Sequence, residues 1–325
     1  MALTDVSNYV MEKILTKVVD IEILQSELGR RLEKEVDLAR FTAARVGGPA
    51  EAFVRVNSTQ EMIEVVRLLW KLDIPFLILG GGSNILVSDL GVRKVVVYNR
   101  ARQVRFDLEE SPPNVWVDSG ANLGVVARQC ASRGLSGLEW AAGIPGTVGG
   151  AVVGNAGAHG SEMSTSLVMA EILHRNFLDE DRLDWPVERF EYNYRWSVLK
   201  ENQGDAVVLR ALIRLKRESS KVVQARIDEF NAYRRMTQPP GASMGSMFKN
   251  PPGDHAGRLI EEVGLKGTRI GGAEISQLHA NFFINKGNAS AMDVYNLIQL
   301  AHQRVVDEFG ISLELEIELV GEWHQ

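Results

Sequence analysis

The chain has 325 residues and a formal net charge of −6 at pH 7, with 24% charged and 45% hydrophobic residues. This length predicts two or three domains or lobes, and the acidic balance gives no electrostatic basis for nucleic-acid binding. A single cysteine, Cys130, excludes an intrachain disulfide framework and is typical of a reducing compartment. No apolar run reaches the roughly 18 residues of a membrane span, and Asp5 and Glu12 interrupt any signal-peptide core. We therefore expect a cytoplasmic protein that does not associate with membranes.

Residues 1–35 are predicted to form an N-terminal helical arm. Ser7 and Asp20 are candidate N-caps, and each precedes apolar residues at helical spacing. No residue of this arm indicates chemistry, so we expect it to have only a packing role.

A domain of two lobes is predicted over residues 36–218, with the lobes at about 36–104 and 105–218. Its predicted strands lie at 52–56, 76–79, 94–98, 115–117, 167–174 and 206–215. One helix is predicted to begin at a capping box of Ser58 and Glu61, and a second helix is predicted at 120–133. A further domain, 219–325, is predicted to have helices at 219–235, 254–263 and 291–309 and strands at 281–285 and 311–321.

Two glycine-rich segments stand out from this pattern. Residues 134–160 contain nine glycines, and residues 79–84 read LGGGSN directly after an apolar run. Glycine lets the backbone approach a flat or phosphorylated ligand, because no Cβ holds it away. Neither a P-loop nor a GxGxxG fingerprint is present. A tight-turned loop between strands is the simpler explanation for either segment alone, but two such segments favour one large phosphorylated cofactor.

Ser246 and Arg195 are the first two candidates for chemistry. Ser246 lies in a polar loop, where Lys249 could assist it as a proton donor, although a loop serine more often forms turn hydrogen bonds. Arg195 follows an aromatic segment and could clamp a carboxylate or a phosphate. A surface ion pair is an equally good explanation of Arg195.

Glu316 is the third candidate, and it lies in an alternating apolar–acidic segment. Period-two alternation would place Glu314, Glu316 and Glu318 on one strand face. Such a face is usually solvated, but one of the three could point into a cleft. Five of the six histidines, taken together, show no metal-ligand spacing, so no metal site is predicted: His159, His174, His255, His279 and His324.

Six motifs in a fixed order carry a resemblance to a known family. They are GGGSNILVSD at 80–89, GIPGTVGGAVVGNAGAHG at 143–160, YRWSVLK at 194–200, GSMFKNP at 245–251, GLKGTRIGGAEIS at 264–276 and LELEIELVG at 313–321. Together they resemble the UDP-N-acetylenolpyruvoylglucosamine reductases, flavoenzymes that make UDP-N-acetylmuramate for peptidoglycan. The resemblance runs from about Phe41 to Gly321 and leaves out the N-terminal arm.

The resemblance implies an α+β protein with a two-lobed FAD-binding domain of the vanillyl-alcohol-oxidase type. A C-terminal α/β substrate-binding domain follows, and its last strand returns to the active site. The implied cofactors are FAD and NADPH, and the implied substrate is a UDP-sugar enol ether. NADPH would reduce the flavin, whose N5 would then pass a hydride to C3 of the substrate. We expect a monomer.

Residue roles carry over motif by motif. Ser246 would donate the proton to C2, Arg195 would hold the substrate carboxylate, and Glu316 would act as an acid or hydrogen-bonding partner. The implied FAD contacts are Gly80, Gly81, Gly82, Ser83, Asn84, Ile144, Pro145, Gly146 and Gly150. The implied substrate contacts are Tyr194, Lys249, Asn250 and His279.

The chain departs from the family pattern at two positions. His159 stands where the family often has tyrosine, and Gly154 stands where it often has methionine. The segment between Tyr194 and Ser246 is short, which resembles the shorter subfamily. Two alternatives remain at this point: a flavin oxidase of the same fold, and a non-catalytic nucleotide-binding protein that would lack the three catalytic residues.

Overall fold

The structure, a computed structural model, describes residues 21–176, 182–201 and 203–323. Residues 1–20 of the predicted helical arm, which include both of its candidate N-caps, and His324 lie outside these residues. The prediction of a helical arm is wrong at its C-terminal end, where Leu32–Asp37 form a strand. Eight α-helices are described: α1 (Ile21–Leu28), α2 (Thr59–Lys71), α3 (Leu123–Ser132), α4 (Val148–Gly154), α5 (Met163–Ser166), α6 (Ser220–Thr237), α7 (Ala256–Glu262) and α8 (Ala291–Phe309).

The described strands are mostly short. They are β1 (Leu32–Asp37), β2 (Pro49–Val56), β3 (Phe76–Leu79), β4 (Ile85–Val87), β5 (Val92–Asn99), β6 (Val104–Asp107), β7 (Asn114–Asp118), β8 (Leu135–Ser136), β9 (Gly157–Ala158), β10 (Ser161–Glu162), β11 (Leu167–His174), β12 (Arg182–Pro186), β13 (Ala206–Arg214), β14 (Lys216–Arg217), β15 (Arg269–Ile270), β16 (Ala273–Ile275), β17 (Phe283–Asn285) and β18 (Glu318–Val320). The predictions for β3, β11 and α8 are confirmed to the residue.

The first lobe is a four-stranded sheet in the order β1-β2-β5-β3. Strands β2, β5 and β3 are parallel, and a helix connects β2 to β3, which lie on either side of β5. That helix is α2, which Ser58 caps by accepting the N–H of Glu61. Its apolar face packs with Val54 and Val97 in one core. The first glycine segment follows β3 at the carboxyl edge of this sheet.

The second lobe is a five-stranded antiparallel sheet in the order β12-β11-β13-β7-β6. Its core joins Ala170 and Ala211 of the sheet to Val126 of α3 and Val152 of α4. Helix α6 is part of this core through Val223 and Ile227, although its sequence belongs to the predicted third domain. The helix therefore packs against the second lobe.

The third core contains α7, α8 and the three-stranded antiparallel sheet β15-β16-β17, and Ala44, Val46 and Leu86 of the first lobe also belong to it. Leu259, Ile275 and Leu297 bring these elements together. Within the described ranges, no helix has the length and apolar character needed to cross a membrane.

The predicted strand 311–321 is wrong in its extent, because only β18 is a regular strand. The chain changes partner along this segment. The backbone of Glu314 and Glu316 bonds to Lys249 and Met247, whereas β18 pairs in parallel with β4. The C-terminal segment thus fastens the third core to the first lobe, beside the first glycine segment.

Candidate active site

The two glycine segments touch one another. A Cβ at Gly81 would lie 2.9 Å from the Cα of Gly146, and one at Gly80 would lie 2.5 Å from the Thr147 hydroxyl. The hydroxyl of Ser83 donates to the carbonyl of Pro145 at 3.3 Å. Glycine is needed here because the two backbones approach too closely for a side chain between them. The segments form a single wall.

Two adjoining cavities lie along this wall, with volumes of about 220 Å³ and 310 Å³. Hydrophobic residues of β3 and β13 contribute to the lining of the smaller one. Six residues line both and mark the junction: Ser83, Asn84, Thr147, Gly150, Gly154 and Lys200. A Cβ at Gly154 would meet no atom within 4 Å, so this glycine leaves the junction open.

Every residue predicted to contact the cofactor lines a cavity. Gly80, Gly81 and Gly82 line the smaller one, whereas Ile144, Pro145 and Gly146 line the larger one. Ser83, Asn84 and Gly150 lie at the junction. The side chain of Asn84 has a further contact, because its amide donates to the backbone carbonyl of Glu316 at 3.0 Å.

The three predicted catalytic residues line the larger cavity together. The Nε of Arg195 donates to Oε1 of Glu316 at 2.7 Å, and its Nη2 donates to the carbonyl of Gly157 at 2.7 Å. Ser246, which lies between these two residues in the sequence, lines the same cavity. Tertiary structure therefore brings together three side chains that are far apart in the chain.

A strained turn presents Arg195. Its φ is +57°, in the left-handed region that L-residues rarely adopt. Three hydrogen bonds tie the turn to the end of α4: Tyr192 donates to Val152 at 2.9 Å, Ser197 donates to Val153 at 2.6 Å, and Asn155 donates to Asn193 at 3.1 Å. Because all three hydrogen bonds are half-buried, the turn is fixed relative to the second glycine segment.

Ser246 and Glu316 are held on neighbouring extended segments. The N–H of Glu316 bonds to the carbonyl of Met247, and the N–H of Met247 bonds to the carbonyl of Asn281. The Asn281 side chain accepts from the N–H of Phe248 and donates to its carbonyl. This buried amide fixes the loop that carries Ser246.

The three alternating glutamates have three different cationic partners. Glu314 is 76% exposed and pairs with Lys249 at 3.2 Å. Glu316 pairs with Arg195 in the larger cavity, and Glu318 pairs with Lys200 at 3.5 Å in the smaller one. The alternation indicated a shared face, but only tertiary contacts distinguish the solvated glutamate from the two that face cavities.

None of the four residues predicted to bind substrate lines either cavity. Tyr194 is exposed, with its ring 5.2 Å from the Arg195 guanidinium carbon. Lys249 pairs with Glu314, and the side-chain Oδ1 of Asn250 accepts the N–H of Ala256 at the start of α7. His279 is half-buried, and burial lowers the pKa of its imidazole. Their substrate roles stay predictions.

Sequence reasoning missed four polar residues that line the larger cavity: Thr147, Lys200, Arg234 and Gln238. Lys200 ends the YRWSVLK motif, so its position in a motif could have singled it out. Arg234 lies in the last turn of α6 and Gln238 is the residue directly after the helix, and neither gave a local signal. Burial lowers the pKa of Arg234.

The departure at His159 lies beside Arg234. Its ring stacks on Phe230 of α6 with centroids 4.2 Å apart, and its φ is +53°. Burial, followed by the charge of Arg234, lowers the pKa of His159. The imidazole therefore fills the place of an aromatic packing residue between α6 and the second glycine segment.

The described ranges contain no group of three His, Cys, Asp or Glu residues arranged to hold a metal ion. Cys130 is buried in the second lobe, and burial raises the pKa of its thiol to about 12. A thiol that stays protonated is a poor nucleophile and a poor ligand, so Cys130 is a packing residue.

Two family models match the chain. The FAD binding domain matches residues 50–176, and the C-terminal domain of UDP-N-acetylenolpyruvoylglucosamine reductase matches residues 236–320. The predicted FAD-binding domain with a distinct C-terminal domain is therefore confirmed, and so is FAD as the cofactor.

Relatives match over nearly the whole chain. The UDP-N-acetylenolpyruvoylglucosamine reductase of Chloroflexus aggregans is 40% identical over 91% of this chain and 100% of its own length. That of Bacillus subtilis is 38% identical over 96% of this chain and 99% of its own. The crystal structure of the Thermus caldophilus enzyme superposes with a TM-score of 0.75 at 37% identity, covering 89% of this chain and 99% of that one. The chain belongs to the UDP-N-acetylenolpyruvoylglucosamine reductase family of FAD-dependent oxidoreductases.

Proposed function

We propose that the protein uses NADPH to reduce UDP-N-acetylglucosamine enolpyruvate to UDP-N-acetylmuramate in peptidoglycan precursor synthesis. One observation carries this proposal: Arg195, Ser246 and Glu316 line one cavity, which adjoins a second cavity lined by the first glycine segment. The larger cavity offers reactive side chains, and the smaller cavity offers mainly backbone and apolar surface. This division suits a reaction between a small substrate and a bound dinucleotide.

The residues of the two cavities fit FAD. The glycines of the first segment leave backbone without side chains along the smaller cavity, which is typical of a site for a diphosphate. The open junction at Gly154 connects this cavity to the larger one, so a single elongated cofactor can extend through both. When bound, FAD supplies the redox chemistry, taking a hydride from NADPH and delivering it to C3 of the enol ether.

Arg195 is the proposed clamp for the substrate carboxylate. Its bonds to Glu316 and Gly157 use two of its five N–H donors, and donors remain for a carboxylate. Hydride addition to a double bond conjugated to a carboxylate builds negative charge on that carboxylate. A guanidinium held in place before the reaction stabilises this charge more than it stabilises the substrate, which is the requirement for catalysis.

Ser246 is the proposed proton donor to C2, and Glu316 is its acidic partner in the same cavity. The backbone bond between Glu316 and Met247 keeps the two residues on adjacent segments. Loss of a positioned proton donor typically slows a reaction by ~10²–10⁴-fold. Binding of substrate and of NADPH does not need this hydroxyl, so its removal leaves flavin reduction fast.

The test is an anaerobic spectroscopic experiment on the full chain with FAD. NADPH should bleach the flavin bands, and UDP-N-acetylglucosamine enolpyruvate should restore them without oxygen. In Ser246→Ala, bleaching should stay fast and restoration should slow by ~10²–10⁴-fold. Ser243→Ala is the matched control, because Ser243 lies in the same loop and lines neither cavity.

Two outcomes would contradict the proposal. If only oxygen restores the colour, the protein is a flavin oxidase of this fold. If Ser246→Ala and Ser243→Ala both restore it as fast as the native chain, Ser246 is not the proton donor. The expected monomeric state and the cytoplasmic location, which was inferred from the composition of the sequence, stay predictions.

A further inference from the structure

Two ion pairs connect the same two segments of the chain. Arg195 pairs with Glu316 at 2.7 Å, and Lys200 pairs with Glu318 at 3.5 Å. In each pair the cation comes from residues 195–200 and the acid comes from residues 316–318. The first pair lines the larger cavity, which contains the proposed catalytic residues. The second pair has no role in the reaction described above.

Lys200 is placed where the two cavities meet. It lines both of them, and its side chain is only 18% exposed. The backbone beneath it is a short 3-10 turn, Val198–Lys200, in which Leu199 is buried. The preceding Ser197 is fully buried and bonds to α4. The turn therefore presents the lysine at the junction from a fixed base.

The smaller cavity contains little other charge. Among its described lining residues, Lys200 is the one cation and Glu318 is the one acid. The 3.5 Å between the ammonium and the carboxylate is longer than the ~2.7–2.9 Å of a charge-assisted hydrogen bond. Lys200 thus has an ammonium with three donors and only a loose partner.

A dinucleotide in this cavity brings a diphosphate with two negative charges. The glycine segment can offer backbone N–H groups to these oxygens, but it offers no positive charge. We propose that Lys200 binds the diphosphate of FAD, and that Glu318 holds the lysine side chain in place while opposing the negative charge of the cofactor. This inference rests on FAD binding and is independent of which substrate the flavin reduces.

The experiment measures the Kd of FAD and of riboflavin, which lacks phosphate, by flavin fluorescence with the flavin-free full chain. Lys200→Met should weaken FAD binding by about 10- to 100-fold, the loss typical of a charge-assisted hydrogen bond. It should leave riboflavin binding unchanged and reduce the salt dependence of FAD binding. Glu318→Gln should act in the opposite direction and tighten FAD binding.

Lys266→Met is the matched control for cofactor binding. Lys266 also pairs with a glutamate, Glu261, but it lines neither cavity. We expect it to bind FAD and riboflavin as the native chain does. Lys200→Arg, which keeps the charge, should recover most of the FAD affinity that Lys200→Met loses.

The opposite effects expected of Lys200→Met and Glu318→Gln on FAD affinity distinguish a ligand-binding role of the pair from a structural one. If the pair only fastens the C-terminal segment, Lys200→Met and Glu318→Gln will both weaken FAD and riboflavin binding alike, and the proposal fails. It also fails if Lys200→Met keeps native FAD affinity and instead shifts the midpoint potential of the bound flavin. Should Lys200→Met not fold, the tighter FAD binding expected of Glu318→Gln still decides the question.

Discussion

Three glycines of the cavity wall differ in the space around them, and alanine substitutions at Gly154, Gly81 and Gly82 therefore make a graded series. A Cβ at Gly154 would meet no atom within 4 Å. A Cβ at Gly81 would lie 2.9 Å from the Cα of Gly146. Gly82 has a φ of +56°, and a Cβ there would overlap the carbonyl oxygen of Phe41.

The expected changes in the free energy of unfolding follow from these contacts. Gly154→Ala should stabilise the ligand-free chain by about 0.4–1 kcal/mol, since alanine has less backbone freedom to lose. Gly81→Ala should destabilise it by about 1–3 kcal/mol, because the two backbones must separate by roughly 0.6 Å or more to reach normal carbon contact. Gly82→Ala should cost about 3 kcal/mol or more, since left-handed strain adds to the overlap.

Urea unfolding of the three ligand-free variants, followed by circular dichroism, gives the three free energies under one set of conditions. The FAD Kd of Gly81→Ala and Gly82→Ala, measured by flavin fluorescence, should rise in the same order as their destabilisation, because the wall that moves is the wall of the cofactor cavity. Equal changes at all three positions, or native stability in Gly81→Ala, would refute the contact between the glycine segments described above.

Two further predictions concern the turn of Arg195 and the histidines. Ser197→Ala leaves the Val153 carbonyl unpaired and should lower the free energy of unfolding by about 1–3 kcal/mol, measured by urea unfolding. The substitution should also lower kcat by a larger factor than it raises the Kd of FAD. Equal changes in kcat and Kd would contradict a role of Ser197 in placing Arg195. Burial lowers the pKa of His279 below 6.5, so the unfolded chain takes up a proton first and stability falls as pH drops from about 7.5 to 5.5. His279→Asn keeps an acceptor for the N–H of Asn281 and should reduce this fall in urea midpoint, whereas an unchanged pH profile would exclude His279 as its source.

Local pattern was sufficient where one segment determined its own structure. Helix α8 was predicted to the residue, because Ser290 and Asp293 form a capping box and Gly310 ends the helix in the left-handed region. The strand at Phe76–Leu79 was equally well predicted, since a short apolar run is bounded by a turn and by glycines. The glycine segments and the six ordered motifs likewise lie in the sequence, which is why the family could be identified from it.

Local pattern failed where the chain changes partner. The alternating segment at the C-terminus predicted one long strand, but its backbone leaves the loop around Met247 and joins β4 within a few residues. Alternation specifies which side chains share a face, and it contains no information on which neighbour that face meets.

The sequence by itself determined the glycine segments, the catalytic candidates and the family, because these depend on residue type and order. Only the tertiary structure decided that the two glycine segments touch, and that Glu316 and Glu318 enter two cavities while Glu314 stays in solvent. It alone brought Lys200 and Arg234 to the larger cavity. These placements arise from contacts between residues far apart in the chain, and no local propensity encodes the distance between them.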